Sequence, residues 1–123
     1  MIQKIILLAL LLSTFLYADK VYSGTAHHEH KSYFKKTDRS YAMTITFKDN
    51  NRVILSLPEY NCVSELIMQS KNANVITYAE KHISGQCNLD DQADTQIRIR
   101  EGALDYLYQS NTDNISALLQ ESK

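Results

Sequence analysis

The chain has 123 residues, of which 44% are hydrophobic and 22% charged, with two cysteines, three glycines, one proline and a formal net charge of −1. That length holds one domain and no second, and the near-neutral balance lacks the lysine and arginine excess with which a nucleic-acid binder neutralises phosphates. The apolar fraction is that of a globular protein and argues against a disordered chain.

The first segment has the layout of an export signal. Lys4 supplies its single positive charge, Ile5 to Leu12 the apolar run, and Ser13 to Ala18 a short, more polar stretch ending in the small residue where a signal peptidase cuts. The span from Ile5 to Ala18 is fourteen residues, against the roughly 20 that a membrane-spanning anchor needs. Residues 1–18 are therefore expected to be a cleaved signal peptide. Residues 19–123 are then a single exported β-domain of charge −2, bacterial and periplasmic or secreted, with no stable membrane insertion after cleavage.

Beyond the signal, apolar residues recur with period two, the pattern of half-buried strands. Lys20 to His28 reads as a first strand, and His30 to Asp38 as a basic, aromatic-containing connection. Tyr41, Met43, Ile45 and Phe47 then share one face, with Ala42, Thr44, Thr46 and Lys48 on the other. The polar run Lys48 to Arg52 turns this strand into Val53, Leu55 and Leu57, and Pro58, lacking an N–H, ends the pairing. A second hairpin runs from Cys62 to Gln69, turns at Ser70 to Asn74 and returns as Val75 to Ile83; its register brings Cys62 near His82. Gly85 to Ala93 reads as the longest loop. Ala93 to Glu101 and Ala103 to Gln109 form a third hairpin about Gly102, which accepts the positive φ of a tight turn. Finally, Asp113 is expected to cap a short helix whose Ile115, Leu118 and Leu119 line one face. The fold expected is all-β and mainly antiparallel: about seven strands in a meander, curled into a small barrel or a two-sheet sandwich, with a short C-terminal helix.

Export makes Cys62 and Cys87, 25 positions apart, candidates for a structural disulfide. The alternative is a pair of free or reactive thiols, although the spacing is neither that of a CxxC redox centre nor of a zinc knuckle. Closing that loop is worth roughly 3.5 kcal/mol on the chain-entropy model.

Chemistry-bearing residues are few. His27-His28-Glu29-His30 offers imidazole and carboxylate, ligands suited to zinc, copper or nickel. On an extended strand His28 and His30 share one face and His27 and Glu29 the other, which makes half a metal site. His82 and Glu80 complete it only if the fold brings them close, and otherwise the cluster is a polar strand end. Ser23, His82 and Glu80 compose a nucleophile–base–acid set only on paper, and the chain carries neither a GxSxG elbow nor a phosphate-cradling glycine loop, so no catalytic residue is expected. The tyrosines Tyr22, Tyr33, Tyr41, Tyr60, Tyr78, Tyr106 and Tyr108 serve either the pleated core or a recognition face.

Leu57-Pro58-Glu59-Tyr60-Asn61-Cys62, Tyr78-Ala79-Glu80 and Ile83-Ser84-Gly85-Gln86-Cys87 resemble, over roughly Tyr22 to Tyr108, a group of small extracytoplasmic β-domains of unknown function. These share a Tyr-x-Cys strand start, a Tyr-x-Glu strand and a Gly-x-Cys exit; the glycine that often follows their first cysteine is replaced here by Val63-Ser64-Glu65. The resemblance implies an exported, disulfide-linked β-domain and no activity. Size, export and the lack of catalytic groups together favour a non-catalytic binding module that binds or inhibits another envelope protein. The competing expectation is a metal-handling protein that uses His27, His28 and His30.

Overall fold

The structure is a computed structural model that describes residues 19–85, 87 and 94–122; the expected signal peptide and most of the Gly85–Ala93 loop lie outside these. Eight antiparallel strands follow one another in chain order: β1 (Lys20–Lys31), β2 (Lys36–Phe47), β3 (Val53–Leu57), β4 (Cys62–Asn72), β5 (Val75–Ser84), β6 (Asp94–Arg100), β7 (Ala103–Gln109) and β8 (Asp113–Glu121). Each pairs with the next, and β8 returns to β1, so the meander closes into a barrel. Closure pairs what would otherwise be two aggregation-prone sheet edges.

Alternation sets what fills the interior. Tyr41, Met43 and Ile45 of β2, Val53, Leu55 and Leu57 of β3, Ile97 of β6 and Leu104, Tyr106 and Tyr108 of β7 are all buried in one cluster. The two expected hairpins about Lys48–Arg52 and Gly102 are present, with Ile45 opposite Leu55 and Arg100 opposite Ala103. In the β4–β5 hairpin Val63 faces Ser84 across a bulge, which leaves Cys62 beside the segment that follows β5.

The C-terminal helix is not formed. Asp113–Glu121 is strand β8, with Ile115, Ala117 and Leu119 buried and Leu118 52% exposed. Ile115, Leu118 and Leu119 fit a helical stripe only if Ala117 is disregarded. Counted as apolar, Ala117 makes the pattern period two, and the unpaired edges of β1 and β7 take the strand between them. The strand count rises to eight for this reason. The expected His30–Asp38 connection likewise shrinks to Ser32–Lys35, because β1 and β2 pair continuously from Lys20 opposite Phe47 to Lys31 opposite Lys36.

The two barrel ends differ. At one end lie the connections 48–52, 73–74 and 101–102. At the other lie the β1–β2 tip, the 3₁₀ turn Pro58–Tyr60, the Ser110–Thr112 link and the residues after β5. The disulfide Cys62–Cys87, with Sγ atoms 1.97 Å and Cα atoms 5.1 Å apart, clamps this loop end. Gly85 is obligatory here, since its φ is +81° and a Cβ would lie 1.8 Å from the Asn61 carbonyl oxygen. Gly24 lets β8 approach β1: a Cβ there would sit 2.5 Å from the Leu118 carbonyl oxygen.

Candidate functional site

A linked group of polar side chains lies at the loop end, and the β1–β8 seam explains why. Pairing of His28 with Ile115 and of His30 with Asp113 turns the even-numbered face of β1 inward, toward the start of β8. Asp113 becomes a hub. The His28 Nε2–H and the His30 Nδ1–H both donate to Asp113 Oδ1, at 2.6 and 2.8 Å, and the Thr112 hydroxyl donates to Oδ2 at 2.7 Å. Burial on its own would raise the Asp113 pKa, but the hydrogen bonds from His28, Thr112 and His30 outweigh it and hold it down to about 2.

Because a carboxylate only accepts, His28 carries its proton on Nε2. The His28 Nδ1 in turn lies 2.9 Å from the hydroxyl oxygen of the buried Tyr41, within hydrogen-bond distance. The Tyr41 ring meets Tyr60 edge to face at 5.2 Å, and the Arg39 guanidinium lies over Tyr60 at 5.6 Å from its centroid. A continuous row thus runs Arg39, Tyr60, Tyr41, His28, Asp113, His30. Desolvation pushes the Tyr41 hydroxyl well above its ordinary pKa, so it is no ready phenolate nucleophile.

A second polar group lies deeper. The Thr95 hydroxyl and the Tyr106 hydroxyl, the latter at 2.7 Å, both donate to Glu80 Oε2, while Glu80 Oε1 is buried and has no hydrogen-bond partner among the described residues. Burial raises the Glu80 pKa despite those two donors, and burial also raises Tyr106 far above its ordinary range.

His28, His30, Thr37, Asp38, Arg39 and Asp113 line a cleft of about 650 Å³ at this rim. Beside it, β2 is paired by β3 only from Thr44 to Phe47; among the described residues no strand covers its outer edge from Lys36 to Met43. The Pro58–Tyr60 turn lies against this edge: the Ala42 N–H donates to Glu59 Oε1 at 3.1 Å, and the Arg39 guanidinium donates to the Tyr60 hydroxyl at 3.4 Å.

The expected site residues are therefore divided. His28 and His30 come together, while His27 faces outward to Ser40 at 3.1 Å and Glu29 pairs with Lys36. His82 bonds the Gly85 carbonyl and Glu80 bonds Thr95 and Tyr106, so neither joins the histidines. Ser23 meets Thr44 instead of His82. Among the described residues no three His, Cys, Asp or Glu side chains are arranged to hold a metal ion; His28, His30 and Asp113 come nearest in ligand type. Cys62 and Cys87 are bonded to each other and are not free thiols. Asp113, expected only as a helix cap, is the site residue that the sequence pattern did not reveal, and Tyr41 was legible only as one of seven tyrosines of the core or a recognition face. The period-two run Ile115, Ala117, Leu119 is the signal that places Asp113 on a strand.

Searched against protein-family models, the chain matches none, and no curated protein is significantly similar to it.

Proposed function

We propose that this chain is a non-catalytic binding module, acting in the periplasm or outside the cell, that engages another envelope protein through the loop end of its barrel. The rim cleft beside the open β2 edge carries this reading. An unpaired edge offers backbone donors and acceptors to a partner strand, and Asp38 and Arg39 add charge selectivity beside it. The Cys62–Cys87 bond supports an oxidising compartment. The His28 and His30 imidazoles and the Tyr41 and Thr112 hydroxyls are engaged with one another and with Asp113, which supports a binding role over a catalytic one.

Cross-linking in periplasmic extract tests this. The wild-type chain should capture a discrete partner in the presence of chelator, and Asp38→Lys with Arg39→Glu should release it. Capture that is unaltered by the double variant, or lost with chelator, would sink the proposal.

The convergence of His28 and His30 on one carboxylate supports a second reading, binding of zinc, copper or nickel. Native mass spectrometry of protein purified without chelator decides it. A stoichiometric metal adduct that disappears in His28→Ala with His30→Ala favours metal handling, and a clean apo mass removes it.

A further inference from the structure

Two aromatic rings stand in solvent at the tip of the longest hairpin. Tyr33 and Phe34 are each 94% exposed, and they pack only edge to face against one another at 5.0 Å. Their exposure is built into an ordered turn. The Ser32 N–H and hydroxyl both donate to the Lys35 carbonyl at 2.8 and 3.0 Å, and the Lys31 N–H donates to the Thr112 carbonyl at 2.7 Å. The tip projects past the rim, because the β1–β2 ladder extends to Lys31 and Lys36, one step beyond the last β1–β8 pair, His30 with Asp113.

Charge is gathered around the rings. From Glu29 to Arg39 the chain carries four basic residues against two acidic ones, a local excess of +2 on a chain whose net charge is −1. Lys36 is paired with Glu29, whereas Lys31 and Lys35 enter no salt bridge among the described residues. A pair of interfacial aromatics flanked by unpaired lysines matches the chemistry of an anionic lipid surface, with rings at headgroup depth and ammonium groups on phosphates.

We propose that the Tyr33–Phe34 tip is a peripheral docking element for an anionic lipid bilayer. Size favours lipid over protein here. Two rings bury roughly 300–500 Å² at most, short of the roughly 800 Å² per partner of a standard protein interface, whereas interfacial seating needs only shallow aromatic insertion and a few cations. Such seating is reversible and keeps the barrel outside the bilayer. It rests on the tip alone and is independent of the rim cleft.

Vesicle flotation with the disulfide-intact chain lacking residues 1–18 tests it. Wild type should float with vesicles of phosphatidylcholine and phosphatidylglycerol, and poorly with phosphatidylcholine alone or at high salt. Tyr33→Ser with Phe34→Ser, and separately Lys31→Glu with Lys35→Glu, should each weaken partitioning roughly tenfold or more. Both pairs are exposed, so the melting temperature should stay at the wild-type value and separate lost docking from lost folding. The proposal is overturned if wild type ignores the anionic vesicles at low salt, or if either double variant floats as well as wild type. It is equally overturned if the Tyr33–Phe34 variant loses a protein partner while the wild-type chain ignores the vesicles.

Discussion

Replacing Asp113 with Asn removes the charge on which three hydrogen-bond donors converge while keeping the shape of the side chain. Asp113 is held at about 2 in place of its ordinary 3.8, and each pH unit of that separation corresponds to about 1.4 kcal/mol, about 2.4 kcal/mol in all. About a fifth of the side chain is still exposed and water screens part of the interaction, so roughly 1–2 kcal/mol is the expected loss at neutral pH. For a domain of this size that lowers the melting temperature by roughly 5–15 °C. The sign follows from the lowered pKa. The stabilisation is fully present above pH 3.8 and disappears as pH falls through about 2, because protonation then occurs in folded and unfolded chains alike. Urea denaturation of wild type and Asp113→Asn at a series of pH values should therefore give curves that are separated at pH 5 to 7 and merge near pH 2. A gap that persists undiminished at the acidic end would mean that the Asn side chain disturbs packing and that the charge is not what counts. No gap at neutral pH would mean that the His28–Asp113–His30 hub does not hold the β1–β8 seam.

Replacing both Cys62 and Cys87 with Ser should lower stability by roughly 3.5 kcal/mol, judged from the closed loop, without unfolding the barrel; wild type melted with reductant should coincide with the variant, and a reductant-insensitive wild type contradicts this. Gly85→Ala meets the Asn61 carbonyl at 1.8 Å as well as a positive φ and should lose about 3 kcal/mol or more. Gly102→Ala meets only its φ of +70°, with nothing within 4 Å, and should lose about 1–2 kcal/mol in chemical denaturation; equal losses would remove the close approach as a cause. Glu80 has its pKa raised from 4.5 by burial, so wild type loses stability as pH rises from 4.5 through the folded value. Glu80→Gln, neutral throughout, should gain on wild type between pH 4 and pH 8 in parallel thermal melts, and a difference independent of pH would count against the buried charge.

Local pattern determined much of this protein. The alternation of Tyr41, Met43, Ile45 and Phe47, the turn chemistry at Lys48–Arg52 and the glycine at 102 each specify a hairpin from nearest neighbours alone, because strand period and turn φ are properties of a few consecutive residues. The same period places His28 and His30 on one face and His27 and Glu29 on the other, as the structure has them. The pairing of Cys62 with Cys87 followed from their number and the expected compartment, and the β4–β5 register brings them together.

What remained depends on residues distant in the chain. Asp113–Glu121 contains an apolar set compatible with two periods, and the choice between them is made by β1 and β7, which leave a strand-wide gap with backbone donors and acceptors on both sides. Closure is thus a tertiary decision, and with it comes the site. Asp113 lies 85 positions from His28, and Tyr106 lies 26 from Glu80. No local period encodes either approach; the closure of β8 against β1 brings about the first, and the β5–β6–β7 ladder brings about the second.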